Sequence, residues 1–208
     1  MENRTFYDRV SGIYDLLANS SERRCRQLGV SLLRVGWGER ILEIGAGTGH
    51  GLAALGAAAG SAGAVVGVDL SAGMLAAARR TLANAGPSRI VLTLADARAL
   101  CFLDCSFDAA FMSFTLELFE TAGLAAVLAE VRRVLRPHGR LGVVAMAETR
   151  HSGRMVGVYT RLHRRFPRIV DCRPIDVTGV LQCSGFSITR VRPMTIWGLS
   201  VLCVACSM

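Results

Sequence analysis

Apolar positions fall into two alternating rhythms along this chain. Short, near-continuous apolar runs at 40–44, 64–69, 89–95, 107–113 and 140–147 predict strands covered on both faces. Segments with apolar residues three and four apart predict helices over 49–59, 71–84, 121–135, 154–166 and 177–184. Two helical segments, about 5–18 and 20–35, precede the first strand, with Ser20 or Ser21 as the N-cap of the second. Leu-Arg-Pro-His-Gly at 135–139 reads as a helix stop followed by a turn. Strands at 187–193 and 196–205 are joined by a connection around 193–195 that is far too short for a crossover. They must be antiparallel neighbours. The expectation is an α/β, three-layer fold around a mostly parallel seven-stranded sheet, with one antiparallel strand near the C-terminus. Ligands in such sheets bind at the carboxyl ends of the strands, where the strand order reverses.

Composition narrows the class. With 208 residues, 51% of them hydrophobic and 19% charged, the chain can bury a full core, and one domain over 1–208 is expected. No uncharged run reaches the length of a membrane span, and Glu2, Arg4, Asp8 and Arg9 stand where a signal peptide would be apolar, so a cytoplasmic location is expected. The net charge is +8, and every Lys/Arg position is arginine. The absence of lysine excludes a P-loop, a Schiff-base lysine and a pyridoxal-phosphate site. The seven cysteines are an odd number, which argues against a disulfide framework. Cys203 and Cys206 lie three apart in a predicted strand and should face opposite sides, poor geometry for a metal. No metal site is expected.

The candidate chemistry begins at Glu43-Ile44-Gly45-Ala46-Gly47-Thr48-Gly49. A strand running into a glycine-rich turn and then a helix lets the backbone approach a ligand and aims a helix N-terminus at an anionic group. The dinucleotide fingerprint G-x-G-x-x-G fails here: counted from Gly45 its last glycine falls on His50, and counted from Gly47 it falls on Leu52. The spacing is G-x-G-x-G. Asp69 closes the second strand, where a carboxylate suits two ribose hydroxyls or, alternatively, caps the next helix. Asp96, in Leu94-Ala-Asp96-Ala97, closes the third, with a helix cap again the alternative.

ILEIGAGTG, VVGVDLSAGML, LADA, SFDAAFMSFTLELF and VRRVLRPHGRLGVV, in this order over about 40–147, resemble successive motifs of the class I S-adenosylmethionine (SAM)-dependent methyltransferases typified by the ubiquinone/menaquinone-biosynthesis enzymes. That resemblance implies a Rossmann-like fold, SAM as cofactor and S-adenosylhomocysteine as product. It implies that Gly45, Ala46, Gly47 and Gly49 approach the methionyl part and that Glu43 organises the loop. Asp69 would hold the ribose, with Leu70 beside it among the cofactor contacts, Met74 would pack on adenine, and Asp96 with Ala97 would bind the adenine edge. The segment after the fourth strand, Met112-Ser-Phe-Thr-Leu-Glu117-Leu-Phe, would lie beside the methyl group. Upstream, Phe6-Tyr7-Asp8 and Ile13-Tyr14-Asp15 resemble the family's N-terminal aromatic–Asp element, so Tyr14 would close over the cofactor from a helical lid at 1–36.

The acceptor is less legible. The chain has no Asn/Asp-Pro-Pro-Tyr/Phe and no Pro-Cys nucleophile, which makes nucleic acid an unlikely substrate despite the basic charge, and no acidic metal set of the catechol O-methyltransferase kind. Glu117, His151 and His163 are candidate proton acceptors. A segment at 148–186 occupies the family's substrate-side insertion. There Met155, Tyr159, Leu162 and Phe166 form an apolar helical stripe flanked by Arg154, Arg161, Arg164, Arg165 and Arg168. Such a basic amphipathic helix suits an anionic membrane surface or a phosphate-bearing substrate, and an ordinary solvated helix is the plain alternative. Two lipophilic acceptors fit, a prenylated quinol carbon and a phospholipid amine; a diffusible small molecule is also open. The rival from another class is a non-catalytic SAM-binding or basic lipid/RNA-binding module.

Overall fold

The structure, a computed structural model, describes residues 22–83, 89–148, 174–196 and 198–208. Helix α1 (22–33) leads into β1 (Arg40–Ile44), α2 (His50–Ala59), β2 (Ala64–Asp69), α3 (Ala72–Leu82) and β3 (Arg89–Leu94). β4 (Phe107–Ser113), a 3-10 turn (Leu116–Leu118), α4 (Thr121–Val134) and β5 (Leu135–Met146) follow. α5 (Val177–Cys183), β6 (Ser187–Ile196) and β7 (Leu199–Ser207) close the described chain. The seven strands form one sheet in the order β3-β2-β1-β4-β5-β7-β6. All its pairings are parallel except those of β7, which runs antiparallel to both β5 and β6. This is the architecture that the hydrophobic rhythm predicts.

The alternation of side chains along each strand divides the core in two. Ile41, Phe111, Val144 and Cys203 face α1 and α2, where they meet Cys25, Leu33, Leu52 and Leu55. Leu42, Ala110, Val143 and Val204 face the other way, onto Leu128, Val131, Val177 and Leu181 of α4 and α5. Both strand faces are therefore dry, and each fully buried aliphatic side chain contributes about 1.5–3 kcal/mol. Cys203 and Cys206 fall in different clusters, as their spacing requires. Burial pushes both thiols up to about 12, which leaves them inert at neutral pH.

Two sequence expectations change. The β6–β7 connection is not at 193–195: Ile196 pairs with Leu199, and Gly198 before Leu199 takes the left-handed conformation (φ 78°). Pro193 lies inside β6, an outer strand of the sheet, where a missing N–H is tolerated. The 135–139 turn is an excursion within β5. Leu135 pairs with Phe107 and the next pairing is Arg140 with Ala109, so Pro137, His138 and Gly139 bulge out, with His138 at positive φ. The predicted helices at 5–18 and 154–166 lie outside the described residues. Most of the 148–186 insertion does too, its described end being α5 and a single bridge between Ala147 and Ile175.

Candidate cofactor site

Strand order reverses between β1 and β4, and a cavity of about 780 Å³ opens at the carboxyl ends there. That volume lies within the ~300–1,000 Å³ of small-molecule sites. The glycine turn forms its floor and hangs from the end of β2: Gly45 and Ala46 N–H donate to the Val68 carbonyl at 2.8 and 3.0 Å. Gly45 (φ 72°) could not be replaced, because a Cβ would sit 2.2 Å from Thr115 Oγ1. Gly47 also has positive φ, yet a Cβ there would meet nothing within 4 Å. It borders open space, and its N–H donates to Asp69 Oδ2 at 2.8 Å. Asp69 Oδ1 receives the Ser71 N–H at 2.9 Å, so this carboxylate ties the β2 end to the glycine turn. The helix cap is Ser71, whose hydroxyl accepts from Met74 N–H at 3.1 Å.

Glu43 is buried at the base of the cavity, against the first turn of α2. A Cβ on Gly51 would lie 1.8 Å from its Oε1, so only glycine fits at 51. Burial pushes the Glu43 carboxyl up to about 8, with Arg26 pulling the other way and Asp69 adding to the rise. Glu43 Oε2 and the Ser113 hydroxyl have no hydrogen-bond partner among the described residues, and both residues line the cavity. Buried polar atoms of this kind are rare unless a ligand or water satisfies them. Arg26 and Glu22 of α1, paired at 3.2 Å, also line it, so the later part of the predicted lid contributes its first turn to the wall while Cys25, Leu32 and Leu33 pack in the core.

Of the predicted cofactor residues, Glu43, Gly45, Ala46, Gly47, Gly49, Asp69, Leu70, Met74, Asp96 and Ala97 all line this one cavity. Met112 does not. Period-two alternation turns it into the core beside Ile44 and Val143, fully buried. Glu117 is also absent from the lining. It is buried behind the wall, its Oε1 accepting the Met146 N–H at 3.1 Å and its Oε2 without a partner among the described residues. Burial pushes its carboxyl up to about 7, offset in part by bonds from backbone N–H groups. Tyr14, His151, His163 and the arginines at 154, 161, 164, 165 and 168 lie outside the described residues.

The segment after β4, expected beside the methyl group, lines the cavity through Phe114, Leu118 and Phe119 rather than through Met112. Phe114 follows β4 in the left-handed region (φ 52°), held there by its N–H bond to the Val144 carbonyl at 2.7 Å. With Leu118 and Phe119 it makes an apolar stretch of wall. Arg26 gave no signal because a helical arginine reads as solvated.

Residues 41–139 match the family described as methyltransferase domain. The demethylmenaquinone methyltransferase of Tropheryma whipplei is 36% identical over 78% of this chain, which spans 63% of that relative's length. A ubiquinone/menaquinone biosynthesis C-methyltransferase from Syntrophotalea carbinolica is 32% identical, with 93% of this chain and 90% of the relative covered. Among solved structures, 1,6-didemethyltoxoflavin-N1-methyltransferase of Burkholderia thailandensis, with bound S-adenosylhomocysteine, shares the fold at TM-score 0.69. It is 16% identical, covering 94% of this chain and 81% of that one. Motif order, strand order and relatives agree: the chain belongs to the class I SAM-dependent methyltransferases, in the group of the ubiquinone/menaquinone-biosynthesis enzymes.

Proposed function

We propose that this protein transfers a methyl group from SAM to a lipophilic small molecule, a prenylated quinol carbon being the acceptor class that best fits. The observation carrying the reading is that one cavity gathers the glycine turn and the carboxylates of Asp69 and Asp96 beside an apolar wall of Phe114, Leu118 and Phe119. In this reading the orphaned oxygens of Glu43 and Ser113 are satisfied by the cofactor's methionyl end. Because Glu43 already faces the first turn of α2, the methionyl carboxylate is countered by Arg26 rather than by the helix N-terminus alone. Asp69 accepts the ribose hydroxyls. Leu70 and Met74 pack on the adenine.

Methyl transfer from a sulfonium is an in-line displacement governed by donor–acceptor positioning. Glu117 can hold or release a proton near neutral pH, but it stands behind the wall, so the proton that methylation of a quinol carbon displaces passes to another acceptor, for which His151 and His163 are the remaining candidates. The relatives' names point to quinone precursors, which favours the quinol over the phospholipid amine.

The test is a labelled-methyl assay offering demethylmenaquinol, phosphatidylethanolamine vesicles and total lipid extract in parallel. Label in the quinol supports the reading, and label in the phospholipid replaces its acceptor. SAM binding without transfer to any of the three would instead favour a non-catalytic SAM-binding module.

A further inference from the structure

Asp96 is not a bare carboxylate at the end of β3. Arg98, two residues on, wraps it: the Arg98 backbone N–H donates to Oδ1 at 2.9 Å, and Nε–H is shared between Oδ1 and Oδ2 at 3.0 and 3.1 Å. Nη2–H donates to Oδ2 at 2.6 Å. Both residues line the cavity. An ionised carboxylate offers about four acceptor sites. Arg98 occupies them with three donors, its Nε–H shared between both oxygens, so a further N–H is taken up where that shared contact gives way. One N–H is what the exocyclic amine of an adenine presents to that edge.

We propose that Arg98 is a positioning residue that fixes the rotation of Asp96, and thereby sets the cavity's selectivity for a 6-amino over a 6-oxo purine. The inference rests on the cavity being the SAM site. A clamped, charged carboxylate attracts an amine and repels a carbonyl oxygen, whereas a carboxylate free to turn or to take up a proton can accommodate either. The guanidinium also holds the Asp96 carboxyl below its usual range, chiefly through the side-chain hydrogen bond, so the discrimination persists into mildly acidic solution. The arginine is more than half exposed, so its removal leaves the fold standing.

Calorimetric titration of the whole protein with S-adenosylhomocysteine and with its deaminated analogue, S-inosylhomocysteine, tests this. Wild type should prefer the amine. Arg98→Ala should lose roughly five- to tenfold in affinity for S-adenosylhomocysteine and less than about twofold for the inosyl analogue, so that the ratio collapses. Arg98→Lys, with a single flexible donor group, should recover part of the ratio. Equal losses for both ligands, or none, would overturn the positioning role, as would a wild type that binds both alike. A wild type that binds neither ligand would instead overturn the SAM reading of the cavity, and this inference with it.

Discussion

At the scale of single residues, the carboxylates around the cavity are distinguished by what surrounds them. Asp69 accepts two backbone N–H groups and is the nexus between β2 and the glycine turn. Asp69→Ala should weaken SAM binding by about 1.5–3 kcal/mol through lost charge-assisted hydrogen bonds, measured calorimetrically. Unchanged affinity would remove Asp69 from the ribose site. Glu117 makes a different prediction. Its ordinary value of 4.5 rises to about 7 on burial, so between those values the folded chain holds a proton that the unfolded chain releases. The stabilisation from protonated Glu117 is complete below about 4.5 and lost as pH rises through about 7. Thermal melts at about pH 5 and pH 8 should therefore show wild type losing stability on the alkaline side, and Glu117→Gln losing less. Glu43 adds a fall of the same sign that extends to about pH 8, so the variant should keep part of the dependence. A pH profile identical to wild type in Glu117→Gln would mean that Glu117 does not titrate there.

At the scale of elements, the connection from β3 to β4 lacks a regular helix, and an arginine from α4 organises it. Arg133 donates to the carbonyls of Phe102 and Leu100 at 2.7 and 3.0 Å and to Asp104 at 2.8 Å, while Glu130 braces its Nε and accepts the Leu100 N–H at 2.7 Å. Carbonyls that no helix satisfies are thus met by one planar fork. Arg133→Ala should lower unfolding stability by about 1–3 kcal/mol, with an unchanged urea m-value. A midpoint within error of wild type would show that solvent replaces these bonds at no cost. Element boundaries in the sequence were clearest where a glycine or cap residue marked them: β1, β2 and β4 fall where the apolar runs predict, and Ser71 caps α3. The β5 excursion and the β6–β7 turn were misplaced because Pro137 and Pro193 read as breaks. Proline interrupts local hydrogen bonding, but a bulge and an outer strand can both absorb it.

At the scale of the whole molecule, no helix among the described residues is long and apolar enough to cross a membrane. The arginine-flanked segment at 154–168, expected from the sequence to suit an anionic surface, is testable at this scale. Binding to anionic vesicles should weaken with salt and with charge reversal of Arg161, Arg164 and Arg165. Sedimentation that ignores both would leave those arginines to solvent.

The sequence by itself determined the sheet, the direction of its strands, the G-x-G-x-G turn and the two strand-end carboxylates. These are encoded locally, by period-two and period-3.6 burial and by glycines at positions where a side chain would collide. Tertiary structure alone decided which face each residue serves. Met112 and Glu117 sit in the right segment but turn away from the cavity while Phe114 of the same segment lines it, and Arg26 and Arg98 reach it from positions with no motif of their own. A motif records which atoms must be near the ligand. Whether a neighbouring side chain joins them depends on strand parity, a single positive φ and the pairing of charges across elements, none of which the chain displays until it is folded. The glycine turn therefore named the cofactor from the sequence, while the clamp on Asp96 that would make the site selective emerged only in three dimensions.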